Sequence, residues 1–178
     1  MRTTVFVGTS LDGFIARPDG ALDFLDRRTG EAEPHGYEEF FATVDALVMG
    51  RNTFDTVMSF NSWPYGTKPV FVLSNRPLPA IPDGATVERL SGAPSEVVSQ
   101  LSARGFGNLY VDGGHTVQAF LQAGQIDRLI VTRVPVLIGS GIPLFGAVRK
   151  DVPLDHIATK VYRTGLVQSE YAVVKETG

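Results

Sequence analysis

The chain has 178 residues, of which 43% are hydrophobic and 20% charged, and a formal net charge of −3. This composition excludes a disordered chain, and the acidic balance argues against a general nucleic-acid binder, which carries a basic surplus. Cysteine is absent, which excludes disulfides, thiolate chemistry and cysteine-ligated metals.

The length suits one domain over 1–178 with a substantial core. The opening MRTTVFVGTSLDG has an apolar run too short for an export signal, broken by Gly8 and Ser10. No run approaches the roughly 18 apolar residues of a membrane helix, so a cytoplasmic protein without membrane attachment is expected. TTVFVG (3–8) is the first expected strand, closed by the turn-forming SLDG. The segment 17–36 is rich in Gly, Pro and charge and is expected as a long loop, a kind that is often functional. YEEFFATV (37–44) follows as a short helix with Phe40, Phe41 and Val44 inward.

DALVMG (45–50) and KPVFVLS (68–74) are nearly continuous apolar runs, as in strands covered on both faces by helices. NTFDTVMSF between them is expected as a helix and NSWPYGTK as a loop. ATVERL (85–90) is a weaker strand, and the next helix is expected to be capped by Ser95 and stopped by Gly105. NLYVDGG then gives a strand and turn, TVQAFLQAG a helix, and IDRLIVTRVPVLIG (126–139) a long strand. After the loop IGSGIPLFG, IATKVYRT and LVQSEYAVVKE form a hairpin about Gly165. Strand–helix repeats followed by a β-rich end describe a mixed α/β sheet.

Three of these strands end in turns suited to one nucleotide. They are Gly50-Arg51-Asn52-Thr53, Ser74-Asn75-Arg76-Pro77 and Asp112-Gly113-Gly114-His115-Thr116. Ligands of open α/β sheets bind beyond the carboxyl ends of the strands. A helix start there offers unpaired N–H groups and partial positive charge to phosphate. Helix caps and surface arginines are the competing structural reading of each turn. The G-x-G-x-x-G fingerprint is missing, since GFGNLY (105–110) lacks the last glycine and precedes its strand. No Walker phosphate loop is present either.

SLDGFIA (10–16), LVMGRNTF (47–54), VLSNRP (72–77), VDGGHTVQAFL (111–121) and IDRLIVTRVPVLIGSGIPLF (126–145) occur in order. Together they resemble the dihydrofolate reductase-like superfamily. Within it they look closest to the C-terminal reductase domain of the bifunctional riboflavin-biosynthesis deaminase-reductase and its stand-alone relatives. The resemblance implies a mixed sheet of about eight strands flanked by helices, with NADPH as hydride donor. By position it implies that Val7, Gly8, Ile15 and Ala16 contact the nicotinamide. Gly50, Arg51 and Thr53 would face the phosphates. Ser74, Asn75 and Arg76 would take the adenosine side with its 2′-phosphate. Gly113, Gly114, His115, Thr116 and Val117 would line the pyrophosphate and nicotinamide ribose. The double glycine would let backbone approach the cofactor where a Cβ would collide.

The implied activity is hydride transfer to a small heterocyclic or sugar-linked C=N or C=O group, as in 5-amino-6-(5-phosphoribosylamino)uracil reductase. The zinc deaminase half of the bifunctional enzyme is not accommodated in a cysteine-free chain of this size. Two alternatives remain: an NADPH-binding protein without turnover, and a genuine dihydrofolate reductase. Proton-donor candidates are Asp12 in SLDG and Glu38 or Glu39 in YEEFF, against a turn former and a solvated helix face respectively. Trp63 and Tyr65 are candidate walls of a substrate pocket. His35 and His156 have no partner at metal-ligand spacing, so no metal is expected. A homodimer is expected, because LIVTRVPVLIG is more apolar than one edge strand can safely expose.

Overall fold

The computed structural model describes residues 1–26 and 35–175. In chain order the elements are β1 (Arg2–Ser10), β2 (Phe14–Ala16), α1 (Asp23–Asp26), α2 (Tyr37–Ala42), β3 (Ala46–Gly50), α3 (Arg51–Met58), β4 (Val70–Leu73) and β5 (Val87–Leu90). Then come α4 (Pro94–Ala103), β6 (Asn108–Asp112), α5 (Gly114–Gln122), β7 (Arg128–Val134), β8 (Ile142–Pro143), β9 (Leu154–Val161) and β10 (Val167–Val173). Eight strands form one sheet in the order β5-β4-β3-β6-β1-β7-β10-β9. From β5 to β7 neighbours run parallel, while β10 pairs antiparallel with both β7 and β9. The expected mixed α/β sheet with a C-terminal hairpin is therefore what the chain forms.

The near-continuous apolar runs are explained by helices on both faces. On one face Val48, Phe71, Val111 and Val131 pack with Val97 and Leu101 of α4 and Val117 and Phe120 of α5. On the other, Leu47, Met49, Val72 and Ile130 pack with Phe40 of α2 and Phe54 and Val57 of α3. Full burial of one such side chain is worth about 1.5–3 kcal/mol. Among the described residues no helix is long and apolar enough to cross a membrane.

Several expectations are corrected. The strand expected over 126–139 stops at Val134, because Pro135 has no N–H to extend the ladder. It lies between β1 and β10, inside the sheet, so its apolar run needs no partner chain. The edge on that side is β9, which starts at Leu154 instead of Ile157 and is exposed along its length. In the final run, Glu176 lies outside the described residues. Ser95 is inside α4 and does not cap it. Ala93 is the N-cap, Pro94 takes the first turn, and the Glu96 carboxylate accepts the Ala93 N–H at 2.8 Å. A second sheet, β2 paired with β8, was not anticipated. Strands of three and two residues are too short to show any periodicity.

Candidate active-site cleft

A cleft of about 680 Å³ opens at the carboxyl ends of β1, β3 and β6, where an open α/β sheet receives its ligands. Two helices begin there. Gly50 precedes α3 and Gly113 precedes α5, and neither cap supplies a side-chain hydrogen bond. Among the described residues no side chain caps either start, so the first-turn N–H groups and the positive helix ends suit an incoming acceptor.

The two helix starts interlock. A Cβ on Gly113 would collide with the Thr53 side chain of α3, and one on Gly50 would lie 2.9 Å from Thr116 Oγ1 of α5. Gly113 also holds φ at 92°, which L side chains rarely adopt. At Gly114 a Cβ would come within 2.9 Å of Ile142 Cγ2 and 3.0 Å of Ile15 Cδ1. The glycines therefore serve the packing of protein on protein at this turn, in addition to any approach by a ligand.

The cleft brings together Val7, Gly8, Ile15, Ala16, Gly50, Arg51, Thr53, Gly113, Gly114, His115 and Thr116. Val117 does not line it, being 1% exposed in the core. Ser74, Asn75 and Arg76 also lie beyond its lining, at the end of β4. They are tied to it by Arg51, whose guanidinium bonds Asp55 at 2.8 Å and the Pro77 carbonyl at 2.8 Å. The Ser74 hydroxyl holds that turn, accepting the Arg76 N–H at 3.1 Å and donating to its carbonyl at 2.9 Å.

Tyr65 lines the cleft and is buried. Trp63 stands behind it, its ring 5.2 Å from that of Tyr65 and edge-on, with its indole N–H on the Gly66 carbonyl. Glu38 and Glu39 are exposed in the first turn of α2, where they complement the helix dipole, and neither lines the cleft. Asp12 lies outside it too. Its carboxylate accepts the N–H groups of Ile138 and Gly139, the latter at 2.8 Å.

Of the three carboxylates lining the cleft, Asp19 and Asp55 are exposed, and the desolvated one is Asp112, the last residue of β6. Burial pushes its carboxyl up to about 6, against the opposing pull of the Gly113 N–H, 2.8 Å from Oδ1. Three tyrosines surround it electrostatically. Burial and then the Asp112 charge raise Tyr37 to about 12, and raise Tyr65 and Tyr110 well above the ordinary phenol range. Tyr110 donates its hydroxyl to the Phe6 carbonyl at 2.8 Å. The sequence places Asp112 in the third of the nucleotide-suited turns and assigns it no role of its own. What sets it apart is desolvation, with Tyr37 and Tyr65, distant in sequence, near enough for their phenols to feel its charge. Leu22, Leu25 and Ile142 also line the cleft; of the segment expected as a loop over 17–36, residues 27–34 lie outside the described residues.

Residues 3–168 match the model of the RibD C-terminal domain family, and the chain belongs to that family. A protein of Shewanella sp. PV-4 named for riboflavin biosynthesis is 40% identical, with a TM-score of 0.89 over 98% of this chain and 100% of that one. A diaminohydroxyphosphoribosylaminopyrimidine deaminase/5-amino-6-(5-phosphoribosylamino)uracil reductase from Thermotoga maritima shares the fold at 15% identity. Its TM-score is 0.74, over 97% of this chain and 56% of that one. The dihydrofolate reductase of Enterococcus faecalis, complexed with NADP(H), also shares it, at 17% identity and a TM-score of 0.66 over 98% and 97% of the two chains.

Proposed function

We propose that this member of the RibD C-terminal domain family is an NADPH-dependent reductase. It reduces a C=N or C=O group of a small heterocyclic or sugar-linked substrate, in the manner of 5-amino-6-(5-phosphoribosylamino)uracil reductase. The observation that carries the reading is one enclosed carboxyl, Asp112, held between two uncapped helix starts in one cleft.

The residues present fit the dinucleotide. Gly50, Arg51 and Thr53 on α3, with Gly113 and Thr116 on α5, offer N–H and hydroxyl donors to its phosphates. Val7, Gly8, Ile15 and Ala16 supply an apolar wall for a flat ring. Ser74, Asn75 and Arg76, at the end of β4 beyond the cleft lining, would take the 2′-phosphate that distinguishes NADPH from NADH, since a charge-assisted arginine contact favours the doubly charged group. When bound, the dihydronicotinamide supplies the hydride.

The chain's own contribution is orientation, exclusion of water and the proton. Tyr65 and Leu25 close the apolar sides of the cleft. The Asp112 carboxyl gives its proton to the nitrogen or oxygen of the acceptor as hydride reaches the carbon, and is reprotonated from solvent. Its raised pKa suits a general acid working near neutrality.

The test is a pair of calorimetric titrations with NADPH and NADH, repeated on Arg76→Ala. NADPH is expected to bind more tightly, with the preference falling by about tenfold or more in the variant, the scale of a lost charge-assisted contact. Failure of the unaltered chain to bind either cofactor at millimolar concentration would remove the proposal.

A homodimer is part of the same reading. Leu154, Ile157 and Val161 on the edge strand β9 are 41%, 52% and 75% exposed, which an unpartnered edge does not ordinarily present. Light scattering at micromolar concentration is expected to give twice the chain mass; the mass of one chain would discard the dimer.

A further inference from the structure

We infer that Asp12 is a positioning residue, whose carboxylate clasps the loop 135–141 to the turn after β1 and thereby fixes the β2–β8 wall of the cleft. The inference rests on the reductase reading only in identifying that wall with the nicotinamide end.

The clasp has several parts. Asp12 Oδ2 accepts the Gly139 N–H at 2.8 Å and the Ile138 N–H at 3.2 Å. On either side, Leu11 N–H reaches the Val136 carbonyl at 2.8 Å and Leu144 N–H reaches the Gly13 carbonyl at 3.0 Å. The Ser10 hydroxyl accepts the Phe14 N–H at 3.0 Å, fixing the turn from within. Hydrogen bonds from Ser10 and from these backbone groups hold the Asp12 carboxyl below its usual range, so it stays ionised as an acceptor.

Between these contacts β2 and β8 pair as Phe14↔Pro143 and Ala16↔Ile142. A two-rung ladder of this length is not stable alone. It is pinned on one side by α5, where Gln118 Nε2 donates to the Pro143 carbonyl at 2.8 Å and Gly114 lets Ile142 and Ile15 approach. Asp12 pins the other side. Ile15, Ala16 and Ile142 carry the wall into the cleft, whereas Asp12 does not enter it. A displacement of an ångström in such a wall is enough to misplace a reacting carbon.

The experiment uses the full chain and two variants, Asp12→Ala and Asp12→Asn, the second retaining one acceptor oxygen. Hydrogen–deuterium exchange is expected to quicken in Asp12→Ala over 136–144 and 14–16, with β4 and α4 unchanged, and Asp12→Asn is expected to fall between. Unchanged protection over 136–144, or loosening of the whole chain equally, would overturn the clasp. In a second arm NADPH affinity is expected to fall on the order of tenfold in Asp12→Ala. Adenosine 2′,5′-bisphosphate, which has no nicotinamide, is expected to bind as before. Equal loss of both ligands would overturn the wall's assignment to the nicotinamide end. If the unaltered chain binds neither, the reductase reading fails, and exchange alone decides the clasp.

Discussion

Replacing Asp112 by Asn is expected to lower kcat by about 10²–10⁴-fold, the range for removing a general acid, while leaving NADPH affinity within about twofold. It is also expected to make the protein more stable near neutral pH. The two effects have one cause. Burial pushes the Asp112 carboxyl up to about 6 from a reference of 3.8, so over that interval the folded chain holds a proton that the unfolded chain has released. Folded stability from this group is therefore fully present below the unfolded value and is lost as pH rises through about 6. The shift corresponds to a destabilisation of roughly 3 kcal/mol at most at neutral pH. Asn keeps an oxygen for the Gly113 N–H and removes the ionisation, so the variant escapes that loss.

Urea denaturation at pH 5 and pH 8 checks the first half: the difference between the two pH values should shrink in the variant. A rate profile checks the second. Turnover is expected to fall as pH rises through the Asp112 transition, since the protonated carboxyl is the reactive form, and the residual rate of the variant should lack that limb. A stabilised variant with undiminished turnover would leave Asp112 as a costly structural residue and remove it from the chemistry.

The fold was legible where local sequence and tertiary structure ask for the same thing. ALVMG and VFVL are apolar throughout because both faces are covered, and the turns after them are polar because the sheet ends there. The cleft was legible in part for the same reason: Gly50, Arg51 and Gly113 sit at strand-to-helix turns that a sequence displays directly. Asp12, Glu38 and Glu39 stand out in the sequence because they are acidic and near recognisable motifs, and the structure places all three outside the cleft lining. Asp112 is not legible because its distinguishing property is desolvation in the fold, near Tyr37 of α2 and Tyr65 of the loop before β4. No window of sequence contains those neighbours. The β2–β8 pair was hidden likewise, since its stability comes from Asp12 and Gln118 and not from strand propensity. The end of β7 was the exception: Pro135 stood in the sequence as a break, and the apolar residues after it concealed its effect.

The interlock of α3 and α5 yields the other large effect. Gly113→Ala is expected to destabilise the chain by about 2–4 kcal/mol, combining strain at φ 92° with overpacking against Thr53. Gly50→Ala is expected to be milder, about 1–2 kcal/mol, because φ there is −76° and only the contact with Thr116 Oγ1 is added. Second-site changes separate strain from packing. Thr116→Ala should restore almost all the stability lost in Gly50→Ala, since it removes the crowding atom and leaves no strained backbone. Thr53→Ala should restore only part of what Gly113→Ala loses, because the left-handed backbone remains. Denaturation of the four single variants and two pairs gives both coupling energies. Full rescue at both sites would mean that steric packing alone selects the glycines. Partial rescue at Gly113 alone would show that this turn needs its backbone conformation as well, which is what aims the N–H groups of the α5 start into the cleft.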